Sequence, residues 1–195
     1  MLLACVGILA GFAGGLHGLS DRPTVGPSDR PEAVRPSDRP PAVRPSDRPT
    51  AAQVGIQIGK SAPTVTINDL DGKPVNLGTY LGKKAVYLQF WATWCELCEA
   101  LDPQVRALRQ KYGGEVEFLG VNVTVNQRLE RVKRHVAEAE PPYRALWDDQ
   151  GVAVRAYDVP STSYVVIVNK QGRVAYTGVG KDQDLAGAFR KVMGR

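Results

Sequence analysis

The chain has 195 residues, of which 23% are charged, and its formal net charge is +5. No basic run interleaved with aromatic residues accompanies this charge, so the composition does not indicate nucleic-acid binding. Only three cysteines occur, which excludes a disulfide-rich scaffold. Composition divides the chain into three regions, namely residues 1–19, 20–53 and 54–195.

Residues 1–19 contain no charged side chain and consist mainly of small and aliphatic residues. An apolar run of this length fits the core of a signal peptide and is short for a membrane-spanning helix. We therefore predict a signal peptide or an N-terminal membrane anchor. Cys5 follows Leu2-Leu3-Ala4, as in a lipoprotein box, which leaves a lipid anchor at Cys5 as an alternative.

Residues 20–53 contain the sequence Ser-Asp-Arg-Pro four times, and the middle units are nine residues long. Frequent proline restricts the backbone and prevents helix formation, and the segment has no aromatic side chain to bury. We predict a disordered, extended linker. At about 3.1 Å per residue, it could hold the following domain up to roughly 100 Å from a membrane.

Residues 54–195 alternate between strand-like and helix-like patterns, which predicts one α/β domain with a single core. A β-hairpin is predicted first, from strands at 64–67 and 75–77. The remaining predicted elements are a buried strand at 85–91, a helix at 96–112, a strand at 115–123, a helix at 127–140, a short helix at 151–157, strands at 164–168 and 174–177, and a terminal helix at 182–193.

Cys95 and Cys98 stand where the predicted buried strand gives way to an amphipathic helix. Unpaired N–H groups at the start of a helix favour a thiolate at the first cysteine. The second cysteine follows one turn later, close enough to attack a mixed disulfide. A zinc site would need further ligands at suitable spacing, and the sequence has no second CxxC or histidine pair. The pattern therefore predicts disulfide exchange, with Cys95 attacking and Cys98 resolving.

The residues before the first cysteine resemble the active-site entry of thioredoxin-fold proteins, most closely the exported, membrane-tethered TlpA/ResA type with its redoxin-like domain. These residues are Phe90-Trp91-Ala92-Thr93-Trp94-Cys95. The resemblance implies a thioredoxin fold, with a mixed central sheet flanked by helices and an extra N-terminal β-hairpin. It also implies an enzyme that exchanges disulfides with exported proteins through its CxxC couple, without a cofactor.

Three features depart from the usual pattern of this type. Leu97 replaces the proline that commonly precedes the second cysteine. The two usual proton-handling positions fall at Leu101 and Gln89, so neither is acidic. Ser163 stands where a proline with a cis bond normally faces the cysteines, and a trans bond between Thr162 and Ser163 is therefore predicted.

We expect Trp94, Thr162 and Ser163 to contact the substrate, and we expect no metal site. His135, on a charged helix, is expected to face solvent. The partners implied by the resemblance are disulfide-containing exported proteins and a membrane or periplasmic reductant. The implied location is extracytoplasmic, with the N-terminal segment holding the domain at the membrane.

Two alternative functions remain open at this point. A thiol peroxidase would share the fold, but its Thr/Ser-x-x-Cys motif is poorly matched because Ala92 occupies the first position. A non-catalytic binding or metal-handling domain would be consistent with the three departures.

Overall fold

The computed structural model describes residues 55–194. The predicted signal peptide or anchor, Cys5 and the repeat linker lie outside these residues. Within the described part of the chain, no helix is both long and apolar enough to cross a membrane.

A seven-stranded sheet forms the centre of the domain. Its strands, numbered along the chain, are β1 Thr66–Asp69, β2 Pro74–Asn76, β3 Ala85–Trp91, β4 Val116–Val123, β5 Arg144–Asp148, β6 Tyr164–Val168 and β7 Val174–Val179. Their order across the sheet is β2-β1-β5-β4-β3-β6-β7. The three middle strands β5, β4 and β3 run parallel, and the neighbours on both sides pair antiparallel. The predicted mixed sheet with an N-terminal hairpin is confirmed.

Helices cover both faces of the sheet. They are α1 Glu96–Glu99, α2 Asp102–Tyr112, α3 Leu129–Ala139, α4 Val152–Ala156 and α5 Leu185–Met193. One core cluster joins both cysteines to buried residues of α2, α3 and α5, and the other joins α4 to the N-terminal hairpin. Strand β3 lies between the two clusters and is buried at all seven positions, which explains why its sequence is apolar except at Gln89.

Two elements differ from the sequence-based expectations. Strand β5 was not predicted, because it is only five residues long and has charged residues at both ends. It exists because it pairs with β4 on one side and with β1 on the other.

The predicted helix at 96–112 is also interrupted, so that α1 ends at Glu99 and α2 begins at Asp102. Pro103 explains this break, since it has no N–H and its ring conflicts with the carbonyl four residues earlier, that of Glu99.

Candidate active site

The active-site turn, residues 92–98, connects β3 to α1. The main-chain N–H of Cys95 donates to the carbonyl of Ala92 at 3.1 Å, which closes the turn. Cys95 caps the helix, and its Sγ accepts a hydrogen bond from the main-chain N–H of Cys98 at 3.2 Å. The two cysteines are joined by a disulfide with a Cα–Cα distance of 5.2 Å. The turn therefore brings the two predicted redox residues into direct covalent contact.

The disulfide lies at the boundary between the core and an apolar surface. Cys95 is 5% exposed and Cys98 is 2% exposed, and both belong to the core cluster beneath α2. By contrast, the neighbouring side chains of Trp94 and Leu97 are 45% and 46% exposed. A reaction partner that reaches Cys95 must therefore approach next to these two apolar side chains.

The loop that follows β4 supports the active-site turn. The indole Nε1 of Trp94 donates to the carbonyl of Val125 at 3.1 Å. The main-chain N–H of Thr93 donates to Oε1 of Gln127 at 3.1 Å. These contacts span more than 30 residues of sequence, so they fix the turn against the sheet in a way that no local pattern could reveal.

Gln89 lies beneath the CxxC turn and is completely buried. Its Oε1 accepts a hydrogen bond from the hydroxyl of Tyr87 at 2.6 Å. Its Nε2 donates to the carbonyl of Cys98 at 3.4 Å. The neutral amide thus satisfies buried polar groups on both sides and connects the central strand to the turn that carries the cysteines.

The Ser163 loop, residues 160–163, leads into β6 at the same end of the sheet. Ser163 is completely buried, and its main-chain N–H donates to the carbonyl of Phe90 at 2.8 Å. No cis peptide bond occurs among residues 55–194, which confirms the expected trans bond before Ser163. Thr162 is half-buried, and its carbonyl accepts a hydrogen bond from the Ser161 hydroxyl. In the described structure this loop reaches the site through Phe90, with no hydrogen bond to either cysteine.

Asp102, the first residue of α2, is a candidate residue that the sequence analysis missed. It is half-buried, and its Oδ1 has no hydrogen-bond partner among the described residues. The pKa of this carboxyl is raised to about 6, mainly by burial; the charge of Glu99 contributes to the rise, and those of Arg106 and His135 oppose it. The sequence signal is an aspartate directly before Pro103, one residue after Leu101, which occupies the usual proton-handling position.

The expectation that His135 faces solvent is wrong. Its side chain is half-buried, and its ring centroid lies 5.5 Å from that of Trp91. Tyr143 packs on the same indole at 5.8 Å, and burial raises the pKa of its phenol well above the usual value. Helix α3 thus contributes to the packing under the active-site turn. Among residues 55–194, no group of three or more His, Cys, Asp or Glu side chains could hold a metal ion.

Comparisons with known proteins cover most of this domain. The family model for Redoxin matches residues 57–191. The thioredoxin-like protein YneN of Bacillus subtilis is 32% identical over 129 residues, which cover 66% of this chain and 75% of YneN. The thiol-disulfide oxidoreductase ResA of Bacillus thuringiensis subsp. konkukian is 31% identical over 120 residues, which cover 61% of this chain and 68% of ResA. The solved thioredoxin domain of a thiol-disulfide oxidoreductase from Bacteroides vulgatus matches with a TM-score of 0.61 at 20% identity, covering 70% of this chain and 99% of that domain.

Proposed function

Because the chain belongs to the Redoxin family, we propose that its active-site turn exchanges disulfides with Cys95 as the attacking residue and Cys98 as the resolving residue. The fold is thioredoxin-like, and the chain is a ResA-like thiol–disulfide oxidoreductase. The disulfide between the two cysteines fits such a couple.

One observation carries the assignment of the two roles. The main-chain N–H of Cys98 donates to Sγ of Cys95, and a hydrogen bond of this kind is stronger to a thiolate than to a thiol. Cys95 also lies beside the exposed side chains of Trp94 and Leu97, whereas Cys98 is held against the core through the bond between its carbonyl and Gln89. Cys95 is therefore both the nucleophile and the cysteine next to the surface that a substrate protein, or client, can reach.

The reaction proceeds in two exchanges. The Cys95 thiolate attacks one sulfur of a client disulfide, so that a mixed disulfide forms and the other client sulfur leaves as a thiolate, which takes up a proton. Cys98 then loses its proton and attacks Sγ of Cys95, and the second client sulfur leaves in the same way. The client gains two electrons and two protons, and the protein is left with the Cys95–Cys98 disulfide.

We assign to Asp102 the role of accepting the proton of Cys98. Cys98 is almost inaccessible to solvent, so a protein group must accept its proton. Asp102 lies four residues beyond Cys98, after the break between α1 and α2, and its charge acts on the phenols of Tyr87 and Tyr143, which belong to the same core cluster as Cys98. With a pKa of about 6, its carboxyl is mostly ionised at neutral pH and can act as a base.

We place this reaction outside the cytoplasm, with disulfide-containing exported proteins as clients and a membrane or periplasmic reductant restoring the dithiol. The uncharged segment 1–19 and the proline-rich segment 20–53 support this location, since they fit a signal or anchor followed by a spacer. Protease added to intact cells should leave the domain undigested, and protease added after the outer envelope is opened, with the cytoplasmic membrane intact, should digest it. No digestion in either case would contradict the placement and indicate a cytoplasmic site.

Trapping experiments test the proposed roles directly. Cys98→Ala should accumulate mixed disulfides with client proteins, because the resolving thiol is missing, whereas Cys95→Ala should trap none. Non-reducing gels of cells that express each full-length variant measure the difference. Gln171→Ala, an exposed substitution in the turn before β7, serves as the control and should behave as the wild type.

Equal trapping by both cysteine variants, or trapping by neither, would contradict the assignment. Rapid consumption of hydrogen peroxide by Cys98→Ala, without mixed disulfides, would instead favour a thiol peroxidase.

A second experiment tests the role of the Asp102 carboxylate. Asp102→Asn should lose the pH dependence near 6 of the rate of the second exchange, measured on that step alone. An unchanged pH profile would exclude Asp102 as the proton acceptor.

A further inference from the structure

Ser163 adopts a backbone conformation that needs external support. Its φ is 62°, in the left-handed region that non-glycine residues rarely occupy. Its hydroxyl is buried without a hydrogen-bond partner among the described residues, so the side chain does not compensate for the strain. Such a conformation persists only where surrounding contacts hold it, and these contacts identify the residues on which the loop depends.

Gln183 makes the principal side-chain contact to this strained residue. Its Nε2 donates to the carbonyl of Ser163 at 3.1 Å and to the carbonyl of Gly180 at 2.6 Å. Its Oε1 accepts a hydrogen bond from the hydroxyl of Tyr176 at 3.3 Å. Gln183 is 7% exposed, although glutamine is usually a surface residue. One buried amide therefore joins the Ser163 loop to β7 and to the turn that follows it.

Gln104 connects Gln183 to α2, the helix that follows the cysteines. Its Nε2 donates to the main-chain carbonyl of Gln183 at 3.2 Å, and its Oε1 accepts from the main-chain N–H of Leu185 at 3.0 Å. Gln104 lies in α2, six residues beyond Cys98. Hydrogen bonds thus run from α2 through Gln183 to Ser163, and from Ser163 to Phe90 on the strand that precedes the active-site turn.

We propose that Gln183 is a positioning residue for client binding, which holds the Ser163 loop at a fixed distance from α2. A proline at position 163 would restrict the conformation of the loop through its ring. In this chain, hydrogen bonds from Gln104 and Gln183 restrict it instead. The inference rests on the proposed function, since it concerns clients that dock on the Ser163 loop while Cys95 attacks their disulfide. A disulfide too small to touch the loop should not depend on Gln183.

A comparison of two substrates tests this role in the full-length, reduced protein. Gln183→Leu removes both donated hydrogen bonds at similar volume, and Gln171→Leu, in the exposed turn before β7, is the matched control. We expect Gln183→Leu to lower the second-order rate constant for insulin about tenfold, which corresponds to the loss of one or two hydrogen bonds. The rate constant for hydroxyethyl disulfide should stay within about twofold of the wild type. Gln171→Leu should match the wild type with both substrates.

A rescue experiment separates positioning from a general structural role. Glycine adopts a positive φ without strain, so Ser163→Gly in the Gln183→Leu background should recover most of the lost rate with insulin. Gln104→Leu, which detaches Gln183 from α2, should reproduce the selective loss and serves if Gln183→Leu does not fold. An equal loss with both substrates, or no loss with either, would overturn the proposal. Failure of the wild type to react with hydroxyethyl disulfide would instead contradict the proposed function itself.

Discussion

The active-site turn and the Ser163 loop lie at the same end of β3, but different kinds of contact hold them. The turn is closed by hydrogen bonds between residues no more than four apart, including those from Cys95 to Ala92 and from Cys98 to Cys95. The Ser163 loop is held by Phe90 and Gln183, which lie 73 and 20 residues away in the sequence. The active-site turn is therefore closed by local hydrogen bonds and anchored to the loop after β4 through Thr93 and Trp94, whereas the Ser163 loop is held through distant residues.

Among the substitutions that test this difference, Ser163→Pro should have the largest effect on the free energy of unfolding. Ser163→Pro removes the N–H that donates to Phe90 and requires a negative φ where the chain has 62°. We expect a loss of about 4 kcal/mol in the free energy of unfolding, from the lost bond and the forced rearrangement of the loop. Urea denaturation of the oxidised protein measures the effect. Ser163→Ala keeps the N–H and is the control; a Ser163→Pro protein as stable as Ser163→Ala would show that the loop is not held as described.

Asp102 provides a test on the side of the active-site turn. Burial raises the pKa of its carboxyl from 3.8 to about 6, so ionisation destabilises the folded state as pH rises through this range. Because the group is only half-buried, we expect Asp102→Asn to stabilise the protein by about 1.5 kcal/mol at pH 7.5, and to give no such gain at pH 3.5, below both pKa values. Thermal unfolding at the two pH values measures this difference. Glu96→Gln, an exposed neighbour, is the control, and an equal gain from it would contradict a specific role for burial.

Ser163→Gly should change the free energy of unfolding in the opposite direction to Ser163→Pro. Ser163→Gly relieves the left-handed conformation and removes the unpartnered hydroxyl, while the unfolded chain becomes more flexible. The net expectation is a stabilisation of about 1 kcal/mol, measured by urea denaturation. Ser161→Gly, in the exposed part of the same loop, should give no gain. A Ser163→Gly protein less stable than the wild type would mean that the serine is not strained.

Proline at position 97 should have the smallest effect. Leu97 lies in the first turn of α1, and its N–H donates no main-chain hydrogen bond among residues 55–194. Proline is tolerated at such positions, so we expect Leu97→Pro to change the free energy of unfolding by no more than about 0.5 kcal/mol. The same substitution would thus differ by several kcal/mol between the two regions. A large destabilisation at position 97 would contradict this expectation and show that the folded turn needs the N–H or the side chain of Leu97.

The sequence predicted those parts of the site that depend on neighbours in the chain. The bounds of β3 and β6 were predicted correctly, because a short apolar run, interrupted in β3 only by Gln89, indicates a strand buried on both faces. The CxxC pair at the junction of strand and helix indicated its own chemistry. Even the break after α1 had a visible cause in Pro103, although the pattern of apolar residues on both sides concealed it.

The environment of Asp102 and His135 could not be obtained in this way. Both residues are polar and lie on helices where solvent exposure is the usual expectation. His135 of α3 packs on Trp91, and Asp102 of α2 lies close enough to His135 for their charges to interact, so the environment of both residues comes from contacts between elements. The raised pKa of Asp102 is a consequence of that packing rather than of its neighbours in the sequence.

By itself, then, the sequence determined the α/β pattern, the position of the redox pair and the absence of proline at position 163, because each is a property of consecutive residues. Only the tertiary structure decided how β5 enters the sheet between β1 and β4, and how Gln104 and Gln183 support Ser163. The physical reason is that main-chain pairing and buried amide hydrogen bonds form between whichever groups the fold brings within about 3 Å. That proximity joins residues about 80 positions apart, as in the contacts of Gln104 with Gln183 and Leu185.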